Sequence, residues 1–259
     1  DVEAWSQTAG QAGRPLPAFV QFDTGMSRLG LEPSEQATLA GDTERLNGID
    51  ILGWMTHLAC ADDPDHPLNV LQRDRLKAAT HGLPPAPRSL CNSAGIFLGP
   101  DFHFDIARPG SALYGISPVK NGDNPMRQPV RLTSPILQVR TIPKGAIVGY
   151  GATHTATRPS RIATIPVGYA DGILRSLSNH GAMWLEGHAV PVAGRVSMDL
   201  ITLDVTDVPE SLAQPGQMVE VIGPHMTPDA IAERAGTIGY EVLTALGHRY
   251  DRHYHGQTA

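Results

Sequence analysis

The feature that most constrains this chain is a regular alternation, through its first half, of helix-period segments with short apolar ones. VEAWSQTAGQAG, EPSEQATLAGDTERLNG and HPLNVLQRDRLKAATHG carry the spacing of amphipathic helices. PAFVQFD, IDILGWMTHLA, RSLCNS and FDIARPG read as short buried strands. Strands separated by helices pair in parallel, because each crossover returns the chain to the same end of the sheet. In a barrel built this way the loops past the strands gather at one mouth, and chemistry collects there. The residues at those positions are Asp23-Thr24-Gly25-Met26-Ser27-Arg28, His57, Asn92-Ser93 and Arg108-Pro109-Gly110-Ser111. Four strand-type runs make only half of a closed barrel of this type, and no internal repeat supplies the rest.

Beyond Tyr114-Gly115 comes a loop-like stretch, ISPVKNGDNPMRQP, and the pattern changes. VRLTSPILQVRTI, SRIATIPVGYA, AMWLEGHAVPVAG, SMDLITLDV and GQMVEVIG are short β-type runs punctuated by Gly, Pro and Asp. One helix, TPDAIAERAG, and a C-terminal segment follow. The expectation is a partial α/β barrel over residues 1–125 and a mostly-β domain over 126–259.

Composition excludes several classes of partner. A formal net charge of -6, with no cluster of Lys and Arg among aromatics, argues against nucleic acid. Every apolar run is interrupted well before membrane-spanning length, and DVEAWSQTAG has neither a basic nor an apolar leader region. Cys60 and Cys91 lack metal-type spacing, so two free thiols in a reducing cytoplasm is the expected state, with a disulfide left open and no metal site anticipated.

VGYGAT sets Tyr150 between two glycines, a setting that presents a side chain as readily as it turns a strand. FDTGMSRLG, HLACAD, CNSAG, RPGSALYG, VGYGAT, GYADG, GRVSMD and GYEVLTALGHRY, in this order and at these intervals, resemble the alanine racemase family across essentially the whole chain. The resemblance implies an (α/β)8 TIM-type barrel, of which this chain carries the C-terminal half, followed by a β-rich domain. It implies pyridoxal 5'-phosphate (PLP) as cofactor, a head-to-tail homodimer with shared active sites, and interconversion of L- and D-alanine to supply D-alanine for peptidoglycan.

The same resemblance assigns roles. PLP acidifies the Cα proton of alanine, and racemisation then needs a base on each face. Tyr150 resembles the base on one face, offered from the β domain of one subunit to the barrel mouth of the other. His57 would favour its ionised form, and Arg108 would link His57 to the pyridine nitrogen. A guanidinium does not release its proton, so that nitrogen stays unprotonated and proton return is favoured over transamination. Asn92, Ser93, Gly110 and Ser111 match the phosphate-binding positions, with the Ser93 hydroxyl and the Gly110 and Ser111 amides as donors. Arg28 resembles the residue that bonds the cofactor's phenolic oxygen and the substrate carboxylate, and the Met198 amide would contact that carboxylate. Tyr169 matches a residue that narrows the access corridor, along which Arg175, Arg195 and Asp62 also fall.

Three departures stand out. Gln21 occupies the position of a carbamylated lysine that braces Arg28 in many members, so bracing here is expected to use neutral hydrogen bonds. His248 stands near a tyrosine on the phosphate. The family's PLP lysine has no counterpart, since Lys77 lies on a helix pattern, Lys120 in the loop and Lys144 in an Ile-Pro-Lys-Gly turn. The missing lysine and missing half-barrel imply a chain lacking its N-terminal part and inactive alone. Alternative readings are a racemase of broader range, acting on serine, and a binding protein that does not racemise.

Overall fold

The computed structural model describes residues 1–120 and 123–256, so Asn121 and Gly122 of the loop-like stretch, and the last three residues of the C-terminal segment, lie outside the described residues. The chain forms two compact units, Asp1–Leu113 with Ser117–Met126, and Tyr114–Ile116 with Arg127–Ala259.

The first unit is built as strand and crossover helix. Helices α1 (Val2–Ala12), α2 (Pro33–Gly41) and α3 (Leu68–Ala79) alternate with strands β1 (Leu16–Gln21), β2 (Ile49–Met55) and β3 (Arg88–Ser89). The strands form one parallel sheet in the order β1-β2-β3, with Leu16 opposite Ile49 and Trp54 opposite Arg88. α1 ends on Gly13, whose left-handed φ of 64° lets its N–H return to the last turn. α2 starts with Pro33 at its first position and the Glu35 carboxylate accepting from the Glu32 N–H. The core joins Val20, Phe22, Trp54, Leu58, Leu76 and Leu90, with the Phe22 and Trp54 rings 5.8 Å apart.

Three expectations change here. The segment 32–48 is not one helix: α2 stops at Gly41, and Thr43–Leu46 forms a separate 3-10 turn after Asp42 leaves helical geometry. RSLCNS is extended in the sheet only at Arg88–Ser89. FDIARPG is not a strand, because side chains take the places a ladder would use. The Arg88 N–H donates to the Asp105 carboxylate, the Ser89 hydroxyl donates to the Ile106 carbonyl, and the Asp105 and Ile106 N–H groups share the Arg88 carbonyl. The described part of this unit therefore has three strands rather than four.

The second unit is antiparallel. Strands β4 (Leu132–Pro135), β9 (Ala182–Leu185), β10 (His188–Pro191) and β12 (Met218–Ile222) form a sheet in the order β10-β9-β12-β4. β5 (Gln138–Ile142), β8 (Ser160–Ile165) and β11 (Ile201–Asp204) form a second in the order β11-β8-β5, and β6 (Ile147–Val148) pairs with β7 (His154–Thr155). Glu186 and Gly187, both at positive φ, make the tight turn between β9 and β10 that right-handed strand twist favours. Ile165, Leu185, Ile201, Leu203 and Val219 are fully buried between the sheets. α4 (Pro228–Ala235) is capped by the Thr227 hydroxyl and stopped by Gly236. A further helix, α5 (Gly239–Thr244), forms where only a C-terminal segment was anticipated. No helix among the described residues is long and apolar enough to cross a membrane.

Candidate active site

In the first unit, residues at and past the ends of β2 and β3 meet through Arg108. Its guanidinium donates to the Thr56 carbonyl at 2.7 Å, to the Leu90 carbonyl at 3.4 Å, to the Ser89 hydroxyl, and to Nδ1 of His57 at 3.4 Å. An arginine can only donate, so Nδ1 accepts, and the neutral imidazole then carries its proton on Nε2. Burial first, and the Arg108 and Arg28 cations second, hold His57 below the ordinary imidazole range, which favours this neutral form. Burial also pushes the Cys91 thiol up, which keeps it protonated, and Cys60 and Cys91 are both free.

The loops carrying Asn92–Ser93 and Gly110–Ser111 converge beside this pair. The Asn92 side-chain oxygen accepts from the Gly95 N–H at 2.9 Å, which turns the chain. Ser93 Oγ accepts from the Gly110 and Ala112 N–H groups at 2.8 and 3.3 Å, and its own proton has no acceptor among the described residues. Ser111 Oγ is buried without a hydrogen-bond partner among the described residues. The Gly110 amide, expected to be a phosphate donor, donates here to Ser93 Oγ, which leaves the Ser93 and Ser111 hydroxyls and the Ser111 amide as donors without an acceptor among the described residues. A buried hydroxyl without a partner costs stability unless something accepts from it. Two uncommitted hydroxyls beside a fixed guanidinium suit an anionic phosphate and an aromatic nitrogen, the two ends of a PLP-like group.

Arg28 lies past β1, on a loop turned by the Asp23 carboxylate, which accepts from the Gly25, Met26 and Ser27 N–H groups. These bonds, the one to Gly25 foremost, hold the Asp23 carboxyl below its usual range. The Gln21 amide donates to the Leu29 carbonyl at 3.1 Å, a neutral hydrogen bond that steadies the backbone beside Arg28. Asp62 forms an exposed ion pair with Lys120 at 2.8 Å. That pairing raises the Lys120 value, opposite to what an amine nucleophile needs. Lys77 sits on α3 and Lys144 in the turn between β5 and β6, so none of the three lysines follows a buried strand.

In the second unit three loops assemble around Tyr150. Gly149 and Gly151 lie at φ of 74° and 72°, and Ala152 is also left-handed, so the chain makes a tight turn that turns Tyr150 outward, 72% exposed. A Cβ on Gly151 would stand 3.1 Å from the Arg195 guanidinium, which lies under the turn. Asn179, itself left-handed, donates to the Thr153 hydroxyl and accepts from the Gly194 N–H, tying VGYGAT to GRVSMD. The Tyr169 and Ala170 N–H groups donate to the Ser197 and Met198 carbonyls at 3.0 Å each, which brings Tyr169 and Met198 together. Arg175 starts the short 3-10 turn that leads to Asn179. Arg249, next to His248, bridges Asp171 and Asp199 beneath these loops.

Sequence reasoning missed Gln72, Thr56, Ser89 and Asn179, all of which hold site residues in place. Asn179 alone carried a signal, as an Asn before His-Gly in a turn-rich stretch.

The alanine racemase N-terminal domain family model matches residues 1–118, and the C-terminal domain model matches residues 129–254. The chain is 53% identical to the alanine racemase of Rhodospirillum rubrum, over 98% of this chain and 68% of that protein. It is 51% identical to a catabolic alanine racemase of Agrobacterium fabrum, over 98% of this chain and 65% of that protein. The crystal structure of alanine racemase from Bartonella henselae with covalently bound pyridoxal phosphate superimposes with a TM-score of 0.92 at 40% identity, covering 98% of this chain and 70% of that one. The chain thus spans about two thirds of the length of the relatives it matches.

Proposed function

The chain belongs to the alanine racemase family, whose fold is a TIM-type α/β barrel with a β-rich C-terminal domain, and on that premise we propose that it supplies site residues for a PLP-dependent interconversion of L- and D-alanine. Residues 1–125 would be the part of the barrel that binds PLP, and 126–259 the domain that offers Tyr150. The observation that carries this reading is the Arg108 fork at the ends of β2 and β3, donating to His57 Nδ1 beside the two uncommitted hydroxyls of Ser93 and Ser111.

PLP, when bound, withdraws electrons from the substrate Cα and makes its proton removable. The residues of this chain divide the remaining work. Ser93 and Ser111 donate to phosphate oxygens, with Asn92 and Gly110 shaping their loops. Arg108, a permanent donor, faces the ring nitrogen and keeps it from being protonated. Arg28 and the Met198 amide bind the substrate carboxylate and set Cα between two faces. Tyr150 Oη exchanges the proton on one face. A phenol has a pKa of about 10, so a donor to the phenolate is needed, and the His57 Nε2 proton has the chemistry for it. Tyr169 limits the size of what reaches the site.

We further propose that two copies of the chain share their sites, Tyr150 of one serving the barrel mouth of the other, and that the enzyme works in the cytoplasm to supply D-alanine for peptidoglycan. The outward presentation of Tyr150 supports the first part. Chiral chromatography of alanine incubated with the holoenzyme containing this chain tests the reading. L- and D-alanine should approach equal amounts from either side, and serine should be converted more slowly. PLP-loaded protein that leaves L-alanine unchanged would remove it.

A further inference from the structure

We propose that Gln72, a residue of α3 outside the reacting group of side chains, is a positioning residue that holds the His57–Arg108 pair in register. The proposal rests on the racemase reading of that pair. Strand β2 ends at Met55, so sheet hydrogen bonds do not reach the backbone of His57. Gln72 takes over where the ladder stops. Its carboxamide, fully buried, donates from Nε2 to the His57 carbonyl at 2.9 Å and accepts at Oε1 from the Ala59 N–H at 2.9 Å. The same Nε2 donates to Thr24 Oγ1 at 3.1 Å, and that hydroxyl pairs with Thr56 Oγ1 at 2.7 Å. Arg75, one turn further along α3, donates to the Thr24 carbonyl at 2.9 Å.

The network therefore fixes the backbone on both sides of the imidazole. Thr56 presents its carbonyl to Arg108, and its N–H donates to the Ser89 carbonyl, while Gln72 holds the two groups that follow. Such a clamp requires a donor and an acceptor on one rigid plane at the reach of two methylenes. Glutamate lacks the donor, methionine lacks both, and asparagine is a methylene short. A residue needed only to fill the core at this point of α3 would be apolar, as Leu76 is one turn away. An unpaired carboxamide at such depth is costly, which makes its complete pairing informative.

The test is Gln72→Met in the PLP-loaded holoenzyme, a change that nearly conserves volume. Three quantities are measured: kcat, KM and the NMR titration of the His57 ring. With the clamp gone the ring leaves Arg108, so its titration should move up toward 6.5. kcat should fall by about 10- to 100-fold, the scale expected of a sub-ångström misplacement, with KM changed by less than about threefold. Leu76→Ala, equally buried on the same helix, should destabilise the fold without moving the His57 titration. Should Gln72→Met fail to fold, Gln72→Leu, which also removes the donor and the acceptor and adds no charge, carries the same measurements. An unchanged titration together with kcat within about twofold of the parent would overturn the proposal, as would an equal shift in Leu76→Ala. A parent that does not racemise alanine refutes the racemase reading instead, and the His57 titration then still decides whether Gln72 holds the pair.

Discussion

The two units present their site residues by opposite means. In the parallel unit, His57 and Arg108 are part-buried and held through side-chain hydrogen bonds: the Arg108 guanidinium donates to the Ser89 hydroxyl and the Thr56 main-chain carbonyl, and the Gln72 carboxamide donates to the His57 carbonyl. In the antiparallel unit, Tyr150, Tyr169 and Met198 are exposed and set mainly by backbone geometry: left-handed turns at Gly149, Gly151 and Ala152, and main-chain contacts too close to admit a side chain, with the Asn179 side chain tying the Tyr150 turn to Gly194. The difference follows from the architecture. A parallel strand ends inside the fold, where polar groups must find partners, whereas an antiparallel hairpin ends in solvent, where backbone geometry does most to fix a direction. Perturbations should separate the two accordingly.

The largest effect is expected at Tyr150. Tyr150→Phe removes one oxygen from an exposed ring, so the thermal midpoint should stay within about a degree while racemisation falls by about 10²- to 10⁴-fold. A loss of stability comparable to a core mutation would show that Tyr150 is held as the first unit holds its residues, and would break the comparison.

Gly168→Ala should act through the fold instead. A Cβ there would stand 2.3 Å from the carbonyl oxygens of Ser197 and Met198, so the Tyr169 and Met198 loops must part. Overpacking of this kind costs about 1–3 kcal/mol, readable as a lower denaturant midpoint at unchanged slope. An unchanged midpoint would mean that side chains fix these loops after all.

The smallest effect concerns pH in the first unit. The folded value of His57 lies below the ordinary 6.5, so as pH falls the unfolded chain takes up the proton first. Stability from this group is complete above 6.5 and is lost as pH drops from there toward the folded value. Urea midpoints from about pH 7.5 to about pH 5.5 should therefore decline less steeply in His57→Gln than in the parent. Parallel slopes would show that the imidazole is not held neutral by its surroundings.

Much of this was legible before the fold was seen. The helical spacing of α1 and α3, the helix at TPDAIAERAG, and the β-type runs of the second half rest on local chemistry, which the order of residues states directly. So does the place of Tyr150 between two glycines. The strand read at FDIARPG failed because Asp105 and Ser89, distant in sequence, supply side-chain hydrogen bonds where a ladder would have formed. The bond from the Gly110 amide to Ser93 Oγ, 17 positions away, was not legible for the same reason.

The sequence by itself therefore determined most of the helices and strands, the β/α order of the first half, and the set of residue types fit for proton transfer and anion binding. Periodicity, turn chemistry and side-chain pKa are properties of short stretches or single residues. The tertiary structure alone decided that a glutamine on a polar-looking helix is fully buried, that Arg108 reaches His57, and that Asn179 ties the Tyr150 turn to Gly194. Each of these joins residues separated by at least 13 positions, as Gln72 and Ala59 are, and a hydrogen bond within a 3.5 Å reach forms only when packing of the whole chain brings its two ends together.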